Sequence, residues 1–579
     1  MLWCLIFGLA WAAAAYGQNS ANPKAPISLD SRPNIVFILT DDQDLHLGSL
    51  DYMPLLRKHL VEQGTSYKRH FCTIAICCPS RVSLWTGQAA HNTNVTDVSP
   101  PYGGYPKFIS QGYNDNWLPV WLQEAGYNTY YTGKLFNAHT TSNYDSPFIK
   151  GFTGSDFLLD PFTYQYLNSS FQRNHDPPVN YANQYLGDVL AGKVYGFLDD
   201  AVKEDKPFFL TVAPIAPHAN VDRPNGTARF APPIPAERHA NLFPNVTVPR
   251  TENFNPGNPS GASWIRNLPQ QSQENVDYND EFYRLRLRTI QSVDELVDGV
   301  VTRLEQYGIL NNTYVIYSTD NGFHIGQHRL QPGKECGYEE DINIPLIVRG
   351  PGVPKNEATE IVTSHTDLSP TFLTLADAPL RATFDGQAIP FSRSGLDEAK
   401  EKRHEHVNVE FWGMYLGEGA SRFNGDTDYD NNTYKAVRII SDSYSLYYSV
   451  WCTNEHELYD LKTDPGQLNN LLLNSTSNST TLLDCPLQKL VARLDSLLFV
   501  LKSCKGKECI RPWAALHPQG DVANLQDALS PRFDDFYENQ QERISFTRCE
   551  LGYLLDAEGP QFNRNGLLYR EGSIWHHWI

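Results

Sequence analysis

The stretch Cys77-Cys78-Pro79-Ser80-Arg81, closed by Thr86-Gly87, is an odd choice for a structural loop. Adjacent cysteines rarely bridge each other, because a disulfide wants its two Cα atoms further apart and suitably directed. Residues 71–76 before it are apolar, and residues 82–85 after it could begin a helix. On such a helix Arg81, four residues after Cys77, can point a fixed cation back at the thiol. A disulfide-bonded cysteine beside a buried one, near an ordinary helix start, explains this stretch equally well on its own.

Acids and cations elsewhere fall where strands end. Residues 34–40 form a continuous apolar run that stops at Asp41-Asp42-Gln43-Asp44. Residues 313–319 read as another buried strand, ending at Asp320-Asn321-Gly322, and 128–132 as a strand running into Gly133-Lys134. Fully apolar strands suggest a parallel sheet buried on both faces. Parallel strands align their carboxyl ends along one edge, where open α/β sheets bind ligands. Oxygen donors only, from Asp41, Asp42, Asp320 and the Asn321 amide, describe a site for calcium or magnesium, and the flexible mix favours calcium. The plain alternative is an acidic surface turn, set against the repulsion of two neighbouring acids that no cation holds.

These groups need elements to position them. Helices are predicted over 118–124, 185–202 and 279–307, and strands over 207–212 and 344–348, the former ending at Ala213-Pro-Ile-Ala-Pro-His218. Alternating strands and helices over this length mean an α/β sandwich with a mixed, mostly parallel sheet. Residues 214–264 are dense in Pro, Asn and Gly with little periodicity, and a loop of that length is usually functional or disordered. Composition shifts near 380–403, beyond which 434–440, 444–450 and 457–460 read as a small antiparallel sheet with a helix over 488–501 packed on it. The expected organisation is therefore a signal peptide over 1–17, a catalytic domain over 31–380 and a smaller domain over 404–579. The aromatic stretch 559–579 has no readable role. His324 and His328 resemble zinc ligands in spacing, but a surface or substrate-contact role fits them better beside Asp320-Asn321.

Composition narrows the function. A net charge of -19 over 579 residues argues against nucleic acid or an anionic membrane as partner, and an anionic substrate would need local positive charge. Residues 2–16 are uncharged and apolar, with small residues at 15–17, the pattern of a cleaved secretory signal. The run is short for a membrane span, and no later stretch is long and apolar enough for one. Eight Asn-x-Ser/Thr sequons, at Asn94, Asn168, Asn225, Asn245, Asn311, Asn431, Asn474 and Asn478, agree with a secreted glycoprotein. Of ten cysteines, Cys4 leaves with the signal, and an odd remainder in an oxidising compartment asks for one special thiol. If that is Cys77, then Cys72, Cys78, Cys336, Cys452, Cys485, Cys504, Cys509 and Cys549 remain for bridges, with Cys504 and Cys509 close enough for a local loop.

Cys77-Cys78-Pro79-Ser80-Arg81 with Thr86-Gly87 resembles the sulfatase signature Cys-x-Pro-Ser-Arg followed by Thr-Gly. Thr40-Asp41-Asp42-Gln43-Asp44, Thr132-Gly133-Lys134, Ala216-Pro217-His218, Asp320-Asn321-Gly322, Arg349-Gly350-Pro351-Gly352 and Glu457-Leu-Tyr-Asp460 resemble further blocks of that family, in its order. The likeness covers roughly residues 31–475. Within the family, the double cysteine resembles the branch of N-acetylglucosamine-6-sulfatases and fungal arylsulfatases. The resemblance implies an alkaline-phosphatase-like sandwich and an arylsulfatase activity, with an amino-sugar 6-sulfatase as the alternative. It implies that Cys77 is oxidised to formylglycine by a formylglycine-generating enzyme, the hydrated aldehyde attacking sulfur. It implies calcium held by Asp41, Asp42, Asp320, Asn321 and the modified Cys77, with magnesium as the alternative ion. Arg81 would stabilise the hydrated residue, Lys134 and Lys334 would bind sulfate oxygens, and His218, with Lys334, would protonate the leaving oxygen. A secreted location follows, with lysosome or vacuole as alternatives.

One departure stands out. Many arylsulfatases carry a proton-accepting His two residues after the Gly-Lys lysine, where this chain has Phe136 followed by Asn137. His139 is a candidate substitute, and a solvated loop histidine is its plain reading. Two other functions fit the sequence less well: a phosphatase or phosphodiesterase of the same fold, and a secreted binding glycoprotein without catalysis. The first normally uses several His ligands and two transition metals, against an oxygen-only cluster with Asn321.

Overall fold

The computed structural model describes residues 32–223, 226–419, 428–473 and 481–562. The expected signal peptide and most of the 559–579 stretch lie outside them. Ten strands form one mixed sheet: β1 (Asn34–Thr40), β2 (Thr65–Phe71), β3 (Asn128–Lys134), β4 (Gly154–Leu158), β5 (Asn168–Arg173), β6 (Val179–Ala182), β7 (Phe208–Ala213), β10 (Thr313–Thr319), β11 (Leu346–Arg349) and β12 (Glu357–Ser364). β8 (Asn220–Asp222) and β9 (Arg229–Ala231) make a separate hairpin. Spatial order is β12-β2-β11-β10-β1-β7-β3-β4-β5-β6, and the five central strands from β10 to β4 are all parallel.

β1 is apolar throughout because both its faces are covered. Ile35, Phe37 and Leu39 pack with Val82, Trp85, Trp121 and Phe372 on one side. Val36 and Ile38 meet Leu190, Val194, Val297 and Val301 on the other, the alternation a strand imposes. The helices supplying these layers are Cys77–Thr86, Leu118–Glu124 and Leu368–Leu375 on the first face, and Leu186–Ala201 and Gln273–Gln306 on the second. The long helix begins six residues before its expected start, because the Ser272 side chain accepts from Asn275 N and caps it.

A second sheet of four antiparallel strands, β13 (His406–Phe411), β16 (Tyr434–Ile440), β17 (Ser445–Trp451) and β18 (His456–Asp460), carries helix Leu487–Leu501 on one face. A short pair, β14 (Tyr415–Leu416) and β15 (Asp428–Tyr429), leaves the end of β13. The other face of the second sheet buries Ile74 and Ile76, the approach to Cys77, against Val409, Tyr434 and Tyr447. The two sheets thus enclose the reactive stretch from both sides.

Candidate active site

Register alone assembles the acids. β1 and β10 run parallel, Asn34 beside Thr313 through Thr40 beside Thr319. Continued past the strand ends, that register sets Asp41 beside Asp320 and Asp42 beside Asn321. Asp42 N donates to Asp320 Oδ1 at 3.0 Å, and Asn321 Nδ2 donates to Asp42 Oδ1 at 2.7 Å. Asp42 adopts a left-handed φ of 62°, a strained choice for a residue with a side chain. Behind it, Arg286 donates to the Asp42 and Pro217 carbonyls and to Asp44 Oδ1, which pins the turn. Asp41 also bridges to Pro217, so the next residue, His218, faces the same edge. Asp41, Asp42, Asp320 and Asn321 are fully buried, so the surface-turn alternative is excluded.

The cysteine motif forms a helix, Cys77–Thr86, that starts at Cys77 itself. Cys77 Sγ lies 3.5 Å from Asp41 Oδ1 and 3.9 Å from Asp42 Oδ1. Ser80 Oγ donates to the Asp320 carbonyl at 2.6 Å and meets His365 Nδ1 at 2.8 Å, fastening the helix to the end of β10. Arg81 does not turn back to Cys77: its Nε donates to Asp320 Oδ2 at 2.8 Å and its Nη1 to the Lys134 carbonyl at 2.6 Å. Gly87 caps the helix at φ 67°, where a Cβ would stand 2.5 Å from the Phe384 ring. Gly133 is required for a similar reason: at φ 110° its Cβ would fall 2.0 Å from the Ala213 carbonyl of the neighbouring strand.

Three fixed cations face the acids. Lys134 Nζ donates to Asp41 Oδ2 at 2.5 Å, and Lys334 Nζ to both oxygens of Asp42 at 2.8 and 2.6 Å. Burial, with Asp320 adding to it, raises the Asp41 carboxyl to about 7 against the pull of Lys134 and Arg81. Burial also acts on Asp42, but Lys334 and His218 outweigh it and hold that carboxyl below its ordinary value. Arg81 and Lys134 do the same for Asp320. Burial, and then Asp41, pushes the Cys77 thiol far above its ordinary value. His218 Nδ1 is 2.8 Å from the Ala219 carbonyl and so carries a proton, leaving Nε2 toward Asp42 Oδ2 at 3.5 Å. Burial lowers His218 to about 4.

Every residue expected at the site is here: Cys77, Arg81, Lys134, His218 and Lys334 with Asp41, Asp42, Asp320 and Asn321. Two were not anticipated. Tyr164 stacks on His218 with centroids 4.1 Å apart, holds Lys134 Nζ 4.8 Å above its ring, and accepts from Asn137 Nδ2 at 2.8 Å. Glu418 accepts from Lys334 Nζ at 2.8 Å and lies 3.9 Å from His218 Nε2. No motif marks either residue.

Other expectations fail or lose force. His139 is not a solvated loop histidine; it is buried between Tyr105 and Phe157, with centroids 4.2 and 5.6 Å away. His324 and His328 are not surface groups: His324 Nδ1 bonds Asp341 at 2.7 Å, and His328 stacks on Tyr338 at 3.9 Å, both buried. The local Cys504–Cys509 bridge forms, and Cys452 pairs with Cys549. Among the described residues five cysteines stay free, namely Cys72, Cys77, Cys78, Cys336 and Cys485, so an odd count singles out none of them.

Several of these groups are close enough together to share a metal ion. Ligand atoms of Asp41, Asp42, Cys77 and His218 lie within 4.8 Å of one another. Asn321 Oδ1 is buried and accepts no hydrogen bond, a state an acceptor tolerates poorly without a cation.

The same chain matches the family model described as sulfatase over residues 33–378 and the one described as N-sulphoglucosamine sulphohydrolase, C-terminal, over 326–493. It is 40% identical over 541 residues to an arylsulfatase of Volvox carteri, covering 88% of this chain and 80% of that one. Likewise, it is 32% identical over 505 residues to the N-acetylglucosamine-6-sulfatase of Homo sapiens, covering 83% and 86%. A solved protein in complex with its substrate D-glucosamine-2-N,6-O-disulfate superposes with a TM-score of 0.59 at 21% identity, over 77% of this chain and 94% of that one, a likeness of fold. Match length and identity together show that the chain belongs to the sulfatase family, enzymes that hydrolyse sulfuric esters.

Proposed function

We propose that the protein is a secreted arylsulfatase that uses formylglycine made from Cys77 and one calcium ion. The observation that carries this reading is the placement of Cys77: buried, at a helix start, 3.5 Å from Asp41 and within the fields of Lys134 and Lys334. A thiol held protonated by burial is a poor nucleophile. Oxidised to formylglycine by its generating enzyme and hydrated, the residue supplies an oxygen nucleophile at the same place. Asp41, Asp42, Asp320, Asn321 and the modified residue would hold the calcium, which when bound would supply charge for the sulfate oxygens and lower the nucleophile's pKa.

The chain's own residues do the rest. Arg81 and Lys134, both fully buried, fix a positive wall against which sulfate oxygens bind. Lys334 and His218 stand together on the side of Asp42, where the leaving oxygen must be neutralised. Lys334 already carries its proton, because Asp42 outweighs the effect of burial on it. Phe136 lies in the aromatic core with Phe108 and Trp117 and moves no proton. Asn137 orients Tyr164 instead, and Tyr164 supports the ring of His218.

The reading includes a catalytic domain over 31–380 and a smaller one over 404–579. Their sheets share no strand, although Glu418 reaches across. Secretion is supported by three exposed sequons among the described residues, Asn245, Asn311 and Asn431. The test is the mass of the tryptic peptide containing Cys77 from natively expressed protein. A deficit matching thiol-to-aldehyde conversion is expected; unmodified cysteine in active enzyme would overturn the mechanism. Likeness to amino-sugar 6-sulfatases favours a second reading, which an aryl sulfate assayed beside N-acetylglucosamine 6-sulfate decides. A clear rate on the aryl ester is expected, and none from formylglycine-bearing protein would sink the first reading.

A further inference from the structure

We infer that Glu418 is the positioning residue that holds Lys334 at the leaving oxygen. The inference rests on the reading of Lys334 given above. Lys334 has an ammonium with three hydrogens, shared between Asp42 Oδ1 (2.8 Å), Asp42 Oδ2 (2.6 Å) and Glu418 Oε1 (2.8 Å). Asp42 is a proposed metal ligand, and an ion on its oxygens competes with the ammonium for the same lone pairs. Glu418 is then the anchor that keeps Lys334 at the site rather than displaced from it.

The backbone around it is built for this. Leu416 N donates to Glu335 Oε2 at 2.7 Å, Glu418 N to the Pro332 carbonyl at 2.7 Å, and Tyr415 Oη to the Gln331 carbonyl at 2.8 Å. Three consecutive ties thus lace residues 415–418 to the loop that carries Lys334. Glu335, next to Lys334, takes a left-handed φ of 81°, which aims its neighbour and needs such support. Glu418 Oε2 is buried and has no hydrogen-bond partner, while the carboxylate faces His218 Nε2 at 3.9 Å. A buried carboxylate with one oxygen unpaired is costly to keep for packing alone. Its charge is also required for balance. With a divalent ion and a sulfate monoester present, the acids Asp41, Asp42, Asp320 and Glu418 offset Arg81, Lys134 and Lys334.

An ammonium at the leaving oxygen matters most when that oxygen takes on most charge. The test therefore compares 4-nitrophenyl sulfate, a good leaving group, with phenyl sulfate, a poorer one. Wild type, Glu418→Gln, Lys334→Met and the double variant are assayed on both. Glu418→Gln should lose about tenfold in kcat/KM on the nitrophenyl ester and about 100-fold on the phenyl ester, chiefly in kcat. The double variant should be no worse than Lys334→Met. Equal losses on the two esters, or losses that multiply in the double variant, overturn the inference. Calcium-induced rise in Tm gives a readout free of turnover. Glu418→Gln should need severalfold more calcium than wild type, because Lys334 then stays on Asp42. Lys334→Met and the double variant should need equal amounts, and a difference between them overturns the coupling through Lys334. Full activity in Lys334→Met would instead remove the assignment of Lys334 itself, and this inference with it. Glu418→Asp, which keeps the charge but withdraws it, replaces the Gln variant if that fails to fold; a smaller loss with the same ester dependence is expected.

Discussion

Two buried ion clusters built from the same residue types sit on either side of the Cys77 stretch, and they differ in how their charges match. Beneath the second sheet, Glu410 receives His91 Nδ1 and Lys435 Nζ on Oε2, each at 2.9 Å, and His91 N on Oε1 at 2.9 Å. Lys435 lies 3.8 Å over the Trp412 ring, and His91 Nε2 meets the Cys504 carbonyl at 2.8 Å. Burial opposes the Glu410 charge, yet His91 and Lys435 outweigh it and hold the carboxyl at about 2. The sulfurs near His91 are bonded to each other and offer no thiolate. At the strand ends, by contrast, Asp41 is raised to about 7, Asn321 Oδ1 and Glu418 Oε2 accept no hydrogen bond, and Arg81 Nη2 has only a 3.5 Å ion pair to Asp41 Oδ2. Matched buried charge is structure; mismatched buried charge is a place prepared for a charged ligand.

The sharpest way to break this comparison is to neutralise one acid in each cluster. Asp41→Asn should reduce kcat/KM by at least about 10³-fold, since it removes a ligand and a partner of Lys134 at once. It should leave the Tm of the calcium-free protein no lower than wild type, because Asp41 is held at a loss there. A marked fall in that Tm would place the Asp41 cluster among structural ion networks.

Glu410→Gln should do the reverse. It strands Lys435 and His91 in a buried position and should cost about 3–5 kcal/mol of stability. Activity per folded molecule should stay within about twofold, measured after denaturant titration fixes the folded fraction. A large loss of kcat with unchanged stability would show that the second cluster acts on the site.

How much of this was legible follows from the same physics. The strand that ends at Asp41 is a nearly continuous apolar run, and those that end at Lys134 and Asp320 are rich in Tyr, Thr, Val and Ile, because helices cover both faces, so their ends could be read. β2 could not: Thr65–Phe71 reads TSYKRHF, with Lys68 exposed and Arg69 and Ser66 half-buried on an otherwise buried strand. β13 hid for a related reason, since Glu410 and Asn408 are buried on it and break the apolar pattern. Arg81 was legible as a cation but not in its direction, because its partner Asp320 lies 239 residues away. Glu418, between two glycines and 84 residues from Lys334, carries no local signal at all. Spacing reveals what one element presents; it is silent on what a distant loop brings.

The smallest expected effect separates the two clusters by pH. Glu410 has a folded value of about 2 against an ordinary 4.5, so between them the unfolded chain binds the extra proton. The stabilisation is complete above pH 4.5 and fades as pH falls toward 2, by about 3 kcal/mol in all. His91 is raised by the same contact, although burial opposes it, so its share is complete below 6.5 and fades as pH rises through its folded value. The stability gap between wild type and Glu410→Gln should therefore be widest near pH 5–6 and narrow on both sides. Denaturant midpoints at pH 3, 5.5 and 8.5 measure it. A gap that stays constant across that range would mean Glu410 is held by packing and neutral hydrogen bonds rather than by matched charge, and the contrast between the clusters would fall, since Glu558 Oε2 beside Lys435 is an orphaned acceptor as well.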